Sequence, residues 1–156
     1  MRIGVFSDSH GDGAAVERLL RHNICKADCW LFAGDGLRDI PQAWDKPIYT
    51  VRGNSDFFVA DAPLTRQVWL EDTGILLCHG HGYHVEYGLE TLAQAASDAG
   101  VQLAVYGHTH IPSVDWVNGV LLVNPGSLTR GRSHIRCSYA VIEAEGGTLR
   151  PRIYQI

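Results

Sequence analysis

No apolar stretch in this sequence approaches the ~20 residues that a membrane-spanning helix needs, so no helical span is expected. The first apolar run, Ile3-Gly4-Val5-Phe6, meets Ser7-Asp8-Ser9-His10 before a signal-peptide core could form. The cytoplasm is therefore the expected location. Paired cysteines are also scarce. The four, at 25, 29, 78 and 137, include no C-x-x-C and show no second pair with redox or zinc-ribbon spacing. Buried, reduced thiols without a function are the expectation. Positive charge is not in surplus either: 13 Lys and Arg face 17 Asp and Glu, for a net charge of −4. Without a stripe of basic and aromatic residues, long nucleic acids are poor partners. Low-complexity tracts, internal repeats and linker-like stretches are missing too, and 156 residues suit one domain spanning 1–156. A small molecule is left as the expected partner. The oligomeric state stays open, a homo-oligomer included.

What the chain does contain is a repeated unit: a short apolar run that stops abruptly at reactive residues. Ile3–Phe6 leads to Asp8 and His10, and Cys29–Ala33 to Gly34-Asp35. Ile48–Val51 leads to Arg52-Gly53-Asn54, and Ile75–Cys78 to His79-Gly80-His81. Leu103–Tyr106 leads to Gly107-His108-Thr109-His110, and Val120–Val123 to Asn124-Pro125-Gly126-Ser127. Apolar runs of this length, closed by Gly and polar turns, read as strands buried on both faces. Ala14–Ile24 has Val16, Leu19, Leu20 and Ile24 at helical spacing, and Glu86–Ala99 reads as a helix stopped by Gly100. Leu37–Trp44 is a shorter helical candidate interrupted by Pro41. Ser138–Ile142 and Leu149–Ile156 form an expected hairpin around Glu145-Gly146-Gly147.

This alternation predicts an α/β fold. Strands dominate the second half, which points further to two mixed sheets packed face to face with helices outside. In open α/β sheets ligands bind beyond the carboxyl ends of the strands. Asp8, His10, Asp35, Asn54, His79, His108, His110 and Asn124 should therefore gather at one edge. Singly, each has an ordinary reading: Asp as helix cap or turn, His as a surface or hydrogen-bonded residue, Gly-Asn as a hairpin turn. Together they do not. Five of the eight histidines (10, 79, 81, 108 and 110) sit in these strand endings, and clustered His, Asp and Asn are metal ligands of intermediate hardness.

The order Asp8-Ser9-His10, Gly34-Asp35, Gly53-Asn54, His79-Gly80, Gly107-His108-Thr109-His110 resembles the calcineurin-like metallophosphoesterase superfamily over nearly the whole chain. The Asn124-Pro125-Gly126-Ser127 ending and the short length look like its small single-domain phosphodiesterase branch. The resemblance implies an α/β/β/α sandwich and two divalent ions. Asp8, His10 and His110 would hold the first, Asn54, His79 and His108 the second, and Asp35 would bridge them. It implies hydrolysis of a small phosphodiester by a bridging hydroxide. Manganese is the first expectation, with zinc, iron or nickel as alternatives; calcium and magnesium prefer all-oxygen sites. A retromer subunit of similar fold acts as a protein-interaction scaffold, so a catalytically weak scaffold is the rival reading.

Arg52 is a candidate phosphate contact, since a guanidinium can grip two oxygens. Arg130 and Arg132 read as solvated surface residues with substrate contact as the alternative, Asp56 as a turn former with orientation of a metal-bound group as the alternative, and His22, His84 and His134 carry no assigned role. Many family members have G-N-H-D, whose His is thought to protonate the leaving oxygen. Here the run is Gly53-Asn54-Ser55-Asp56, and Ser55 cannot be that acid. Leaving-group protonation should be weak, or fall to His81 or water, with a structural role for His81 as the alternative. Aryl diesters should consequently turn over faster than alkyl diesters. A series of leaving groups checks this, and equal rates for the two would contradict it.

Overall fold

The computed structural model describes residues 1–23, 26–129 and 135–156. Ile24, Cys25, Arg130, Arg132 and His134 lie outside them. The chain forms ten strands: β1 (Arg2–Phe6), β2 (Cys29–Phe32), β3 (Ile48–Thr50), β4 (Thr65–Leu70), β5 (Thr73–Cys78), β6 (Leu103–Val105), β7 (Ser113–Val117), β8 (Val120–Asn124), β9 (Ser138–Glu145) and β10 (Thr148–Gln155). Two α-helices accompany them, α1 (Gly13–His22) and α2 (Glu90–Asp98). One sheet has the order β10-β9-β1-β2-β3 and the other β4-β5-β6-β8-β7. Within the first, β1, β2 and β3 run parallel; within the second, β5, β6 and β8 do. The remaining pairs are antiparallel.

Strand periodicity of two explains how both sheet faces become apolar. Ile3, Val5, Leu31, Ile75, Leu77, Leu103, Val105, Leu121 and Val123 fill the layer between the sheets. Their alternates turn outward. Phe6, Trp30 and Phe32 pack against Val16, Leu19 and Leu20 of α1. Leu76, Ala104 and Leu122 pack against Leu92, Ala93 and Ala96 of α2. The arrangement is helix, sheet, sheet, helix, as the sequence implied.

Three details differ from the sequence expectation. The 37–44 helix shrinks to a single 3-10 turn, Leu37–Asp39, since a proline at 41 can donate no backbone hydrogen bond to continue it. Helix α2 starts at Glu90, four residues later than expected, after a left-handed residue at His84 and Gly88 at φ 154°. Strands β4 and β7 were not foreseen. Both are edge strands whose outer positions stay exposed, including Trp69 and Trp116, so neither shows a continuous apolar run. The hairpin of β9 and β10 closes where expected, pairing Glu145 with Thr148.

Cys29 and Cys78 are buried free thiols and Cys137 is half-buried. Burial pushes the Cys78 thiol up to about 12 and Cys29 up to about 11, so both stay protonated and inert at neutral pH.

Gly4 leaves room for the side chain of its cross-strand partner Trp30. A Cβ there would lie 2.3 Å from Cε3 of the fully buried Trp30. Gly4→Ala should therefore cost about 1–3 kcal/mol by overpacking. Urea unfolding checks this through a lower midpoint at unchanged slope; an unshifted midpoint would contradict it.

Candidate metal centre

The six predicted strand endings do converge. Because β1, β2 and β3 are parallel, and so are β5, β6 and β8, each sheet brings three carboxyl ends to one edge. Backbone hydrogen bonds then tie the loops together. Asp8 N–H donates to Gly34 O at 2.9 Å, His10 N–H to Asp35 O at 3.0 Å, and Gly107 N–H to His79 O at 3.0 Å. The two sheets join at Asp8, whose Oδ2 accepts the His108 N–H at 3.2 Å. The last ending joins them: Asn124 Nδ2 donates to Gly107 O, and the Ser127 hydroxyl donates to Asp8 O.

The donor atoms fall into two groups. In one, His110 Nε2 lies 3.1 Å from Asp8 Oδ1 and 3.1 Å from His10 Nε2, while His10 Nε2 lies 3.6 Å from Asp8 Oδ1. In the other, His108 Nδ1 lies 3.1 Å from Asn54 Oδ1, and His79 is close by with its ring centre 5.2 Å from that of His108. Asp35 Oδ2 stands between, 3.3 Å from His79 Nε2 and 3.8 Å from His10 Nε2. Donors held at roughly 2.0–2.2 Å from one cation stand about 3–3.5 Å apart, so these spacings suit a shared ion. Asp8, His10 and His110 form one geometric ligand set, and Asp8, Asp35 and His79 form another.

A second observation supports an ion. Asp8 Oδ1, His79 Nε2 and His110 Nδ1 are buried with no hydrogen-bond partner among the described residues. Buried polar atoms are seldom left so, and the first two point into the cluster. The other nitrogen of His79, Nδ1, donates to Ala33 O at 2.6 Å, which fixes the tautomer with the Nε2 lone pair free for a metal.

The electrostatics keep the carboxylates charged. Burial works to raise Asp8, but the imidazoles of His10, His110 and His79 beside it outweigh burial and hold the group far below the usual range. In Asp35, too, burial is outweighed, here by His79 and by the hydrogen bonds from Ser55. The histidines respond. The Asp8 carboxylate beside it raises His10; burial lowers His79, but Asp35 and Asp8 overcome it and the net shift is upward. His81 and His108 go the other way, lowered first by burial and then by neighbouring imidazoles.

Of the other residues singled out, Arg52 is half-buried and its Nε has no partner among the described residues. His81 begins a 3-10 turn with its ring centre 5.5 Å from His79 and 6.1 Å from His108. Ser55 fills the position of the family's acidic His and does something different: its hydroxyl and its N–H both donate to the Asp35 carboxylate, at 3.0 and 2.8 Å. Gly53 beside it has no substitute, since a Cβ would sit 2.0 Å from Asp35 Oδ1.

Three supporting carboxylates exceed what the sequence suggested. Asp56 closes its own turn through Gly53 N–H at 2.9 Å and also accepts the N–H groups of Asp35, Gly36 and Leu37 at 2.8, 2.9 and 3.0 Å. Asp39 accepts from Ser9 Oγ at 2.5 Å and Gly11 N–H at 2.9 Å. Glu86 Oε2 lies 3.6 Å from His108 Nε2 and orients that ring from the side away from Asn54. Only the G-N-x-D spacing of Asp56 offered a sequence signal; Glu86 and Asp39 sit in no recognisable pattern.

A metal-binding α/β/β/α hydrolase fold is the class that this architecture and this donor set define. A family model, the calcineurin-like phosphoesterase superfamily domain, matches residues 1–147, and the chain belongs to that superfamily. It is similar to a solved structure of a predicted phosphoesterase from Streptococcus pneumoniae, with 32% identity, 99% of this chain and 88% of that chain covered, and a TM-score of 0.87. It is 28% identical to the phosphodiesterase YfcE of Escherichia coli K12, over 92% of this chain and 88% of YfcE. Its fold is also shared by Vps29 of Entamoeba histolytica, solved with zinc, at 19% identity, a TM-score of 0.71 and 99% of both chains covered. Among the described residues no helix is long and apolar enough to cross a membrane.

Asp56→Ala would strand four backbone donors, and each buried donor left unpaired costs about 1–3 kcal/mol. The variant should melt lower and bind manganese roughly 10–100-fold more weakly, both measurable by calorimetry. Unchanged manganese affinity would show that Asp56 does not position Asp35.

Proposed function

We propose that this chain is a phosphodiesterase acting on small phosphodiesters through two divalent ions, manganese by preference, with zinc, iron or nickel as alternatives. The observation that carries the reading is the position of Asp35 Oδ2, which faces one donor of each group, His79 at 3.3 Å and His10 at 3.8 Å. That placement supports Asp35 as the bridge, with Asp8, His10 and His110 on one ion and Asn54, His79 and His108 on the other. Two divalent ions so held would polarise the phosphoryl oxygens and make a water acidic enough to supply a hydroxide nucleophile.

The protein's own residues do the rest. Ser55 and Asp56 fix the Asp35 carboxylate and its loop, and Glu86 sets the His108 ring. Arg52, with a buried and unsatisfied Nε, is suited to take a phosphoryl oxygen. Burial and the neighbouring His79 and His108 imidazoles lower the proton affinity of His81. That suits it to donate a hydrogen bond to a phosphoryl oxygen more than to transfer a proton to the leaving group. The name of YfcE supports diesters over monoesters. The likeness to Vps29 keeps the scaffold as the alternative.

Hydrolysis of bis(p-nitrophenyl) phosphate with manganese is the test. Chelation should abolish it, and Asp35→Ala or His108→Ala should each lower kcat/KM by more than ~100-fold, exceeding the typical loss from altering a residue that only orients a ligand. Turnover that survives both substitutions would point to a contaminant, and tight manganese binding without turnover would favour the scaffold.

A further inference from the structure

Opening on the site at His10 and Asp35, the structure has a cavity of about 320 Å³. Arg38, Phe58 and Val59 line it as well. Phe58 is 68% exposed although it is a large aromatic, and no core packing accounts for it. Its ring lies 4.0 Å from that of Phe57, while the Arg38 guanidinium sits 5.1 Å over its centre. A cation on a ring face is held in place by the ring quadrupole, and Arg presents a flat surface when so held. Among the described residues Arg38 is the only Lys or Arg lining this space. The carboxylates around it are already engaged: Asp39 by Ser9 and Gly11, and Asp56 by four backbone N–H groups. The volume is at the small end of ligand pockets, roughly 300–1,000 Å³. That accommodates one ring and its phosphate, not an oligomer.

We infer that this cavity is the subsite for a planar aromatic ring esterified to the phosphate, stacked on the Arg38 guanidinium that Phe58 holds from its other side. The inference rests on the phosphodiesterase reading for the chemistry at Asp35, and it makes that reading specific: aryl or nucleobase-bearing diesters are preferred to aliphatic ones. Stacking of a ring on a guanidinium held in this way should tighten binding about tenfold.

Calorimetric titration of phenylphosphonate and methylphosphonate into the manganese-loaded protein reads the subsite without turnover. The wild type should bind phenylphosphonate about tenfold more tightly. In Phe58→Ala the difference should fall below about twofold with methylphosphonate affinity unchanged, and Phe58→Tyr should restore it. Since Phe58 is exposed, these substitutions leave folding alone. Equal wild-type affinities, binding of neither phosphonate, or a ring preference that survives Phe58→Ala would each overturn the subsite. Hydrolysis of bis(p-nitrophenyl) phosphate by the same preparation separates the two claims. Hydrolysis without ring preference overturns the subsite alone, whereas ring preference without hydrolysis supports the subsite and removes the phosphodiesterase reading.

Discussion

Two carboxylates, Asp8 and Asp35, are buried within reach of one histidine, His79, and the rest of the site is organised around that fact. A buried carboxylate costs several kcal/mol unless it is paired or hydrogen-bonded. The fold meets the cost with backbone N–H groups, the Ser55 hydroxyl and imidazoles, and both acids stay ionised in spite of burial. The result is fixed negative charge, screened from water, in a place where cations would remove the remaining penalty.

The backbone is arranged to the same end. Asp8, His10, Asp35, His108 and His110 all adopt positive φ, between 45° and 69°. Residues other than glycine rarely do so, and each costs on the order of 1–3 kcal/mol. Asp and His are among the more tolerant types there, which helps explain why the strand endings can be built from them. The bends aim successive side chains inward from loops too short to do it otherwise, and the interloop hydrogen bonds at Gly34, Asp35 and His79 hold them.

Much of the fold was readable from sequence because six strands are apolar on both faces, so each announced itself as an unbroken run. Strands β4 and β7 escaped because one face of each is left exposed: Thr65, Arg66, Gln67 and Trp69 sit among only two buried positions in β4. The gathering of the candidate site residues was legible for a different reason. Histidine recurring at the ends of apolar runs has no common structural cause, and parallel strands must bring those ends together. What could not be read was reach across loops. That Ser55 grips Asp35, that Glu86 meets His108, and that Arg38 lies on Phe58 all depend on loop paths, which no local pattern encodes.

The junction at Asp8 has one more consequence. Asp8 and Asp35 hang from the first sheet and His79, His108 and His110 from the second, so an ion shared among them is a crosslink between the two layers. A ligand bound only by the folded state adds stability as RT ln(1 + [L]/Kd), about 2.7 kcal/mol at a hundredfold excess over Kd. Metal supply would thus govern how long each molecule resists unfolding and proteolysis, and starvation for the ion would shrink the protein's population as well as silence it.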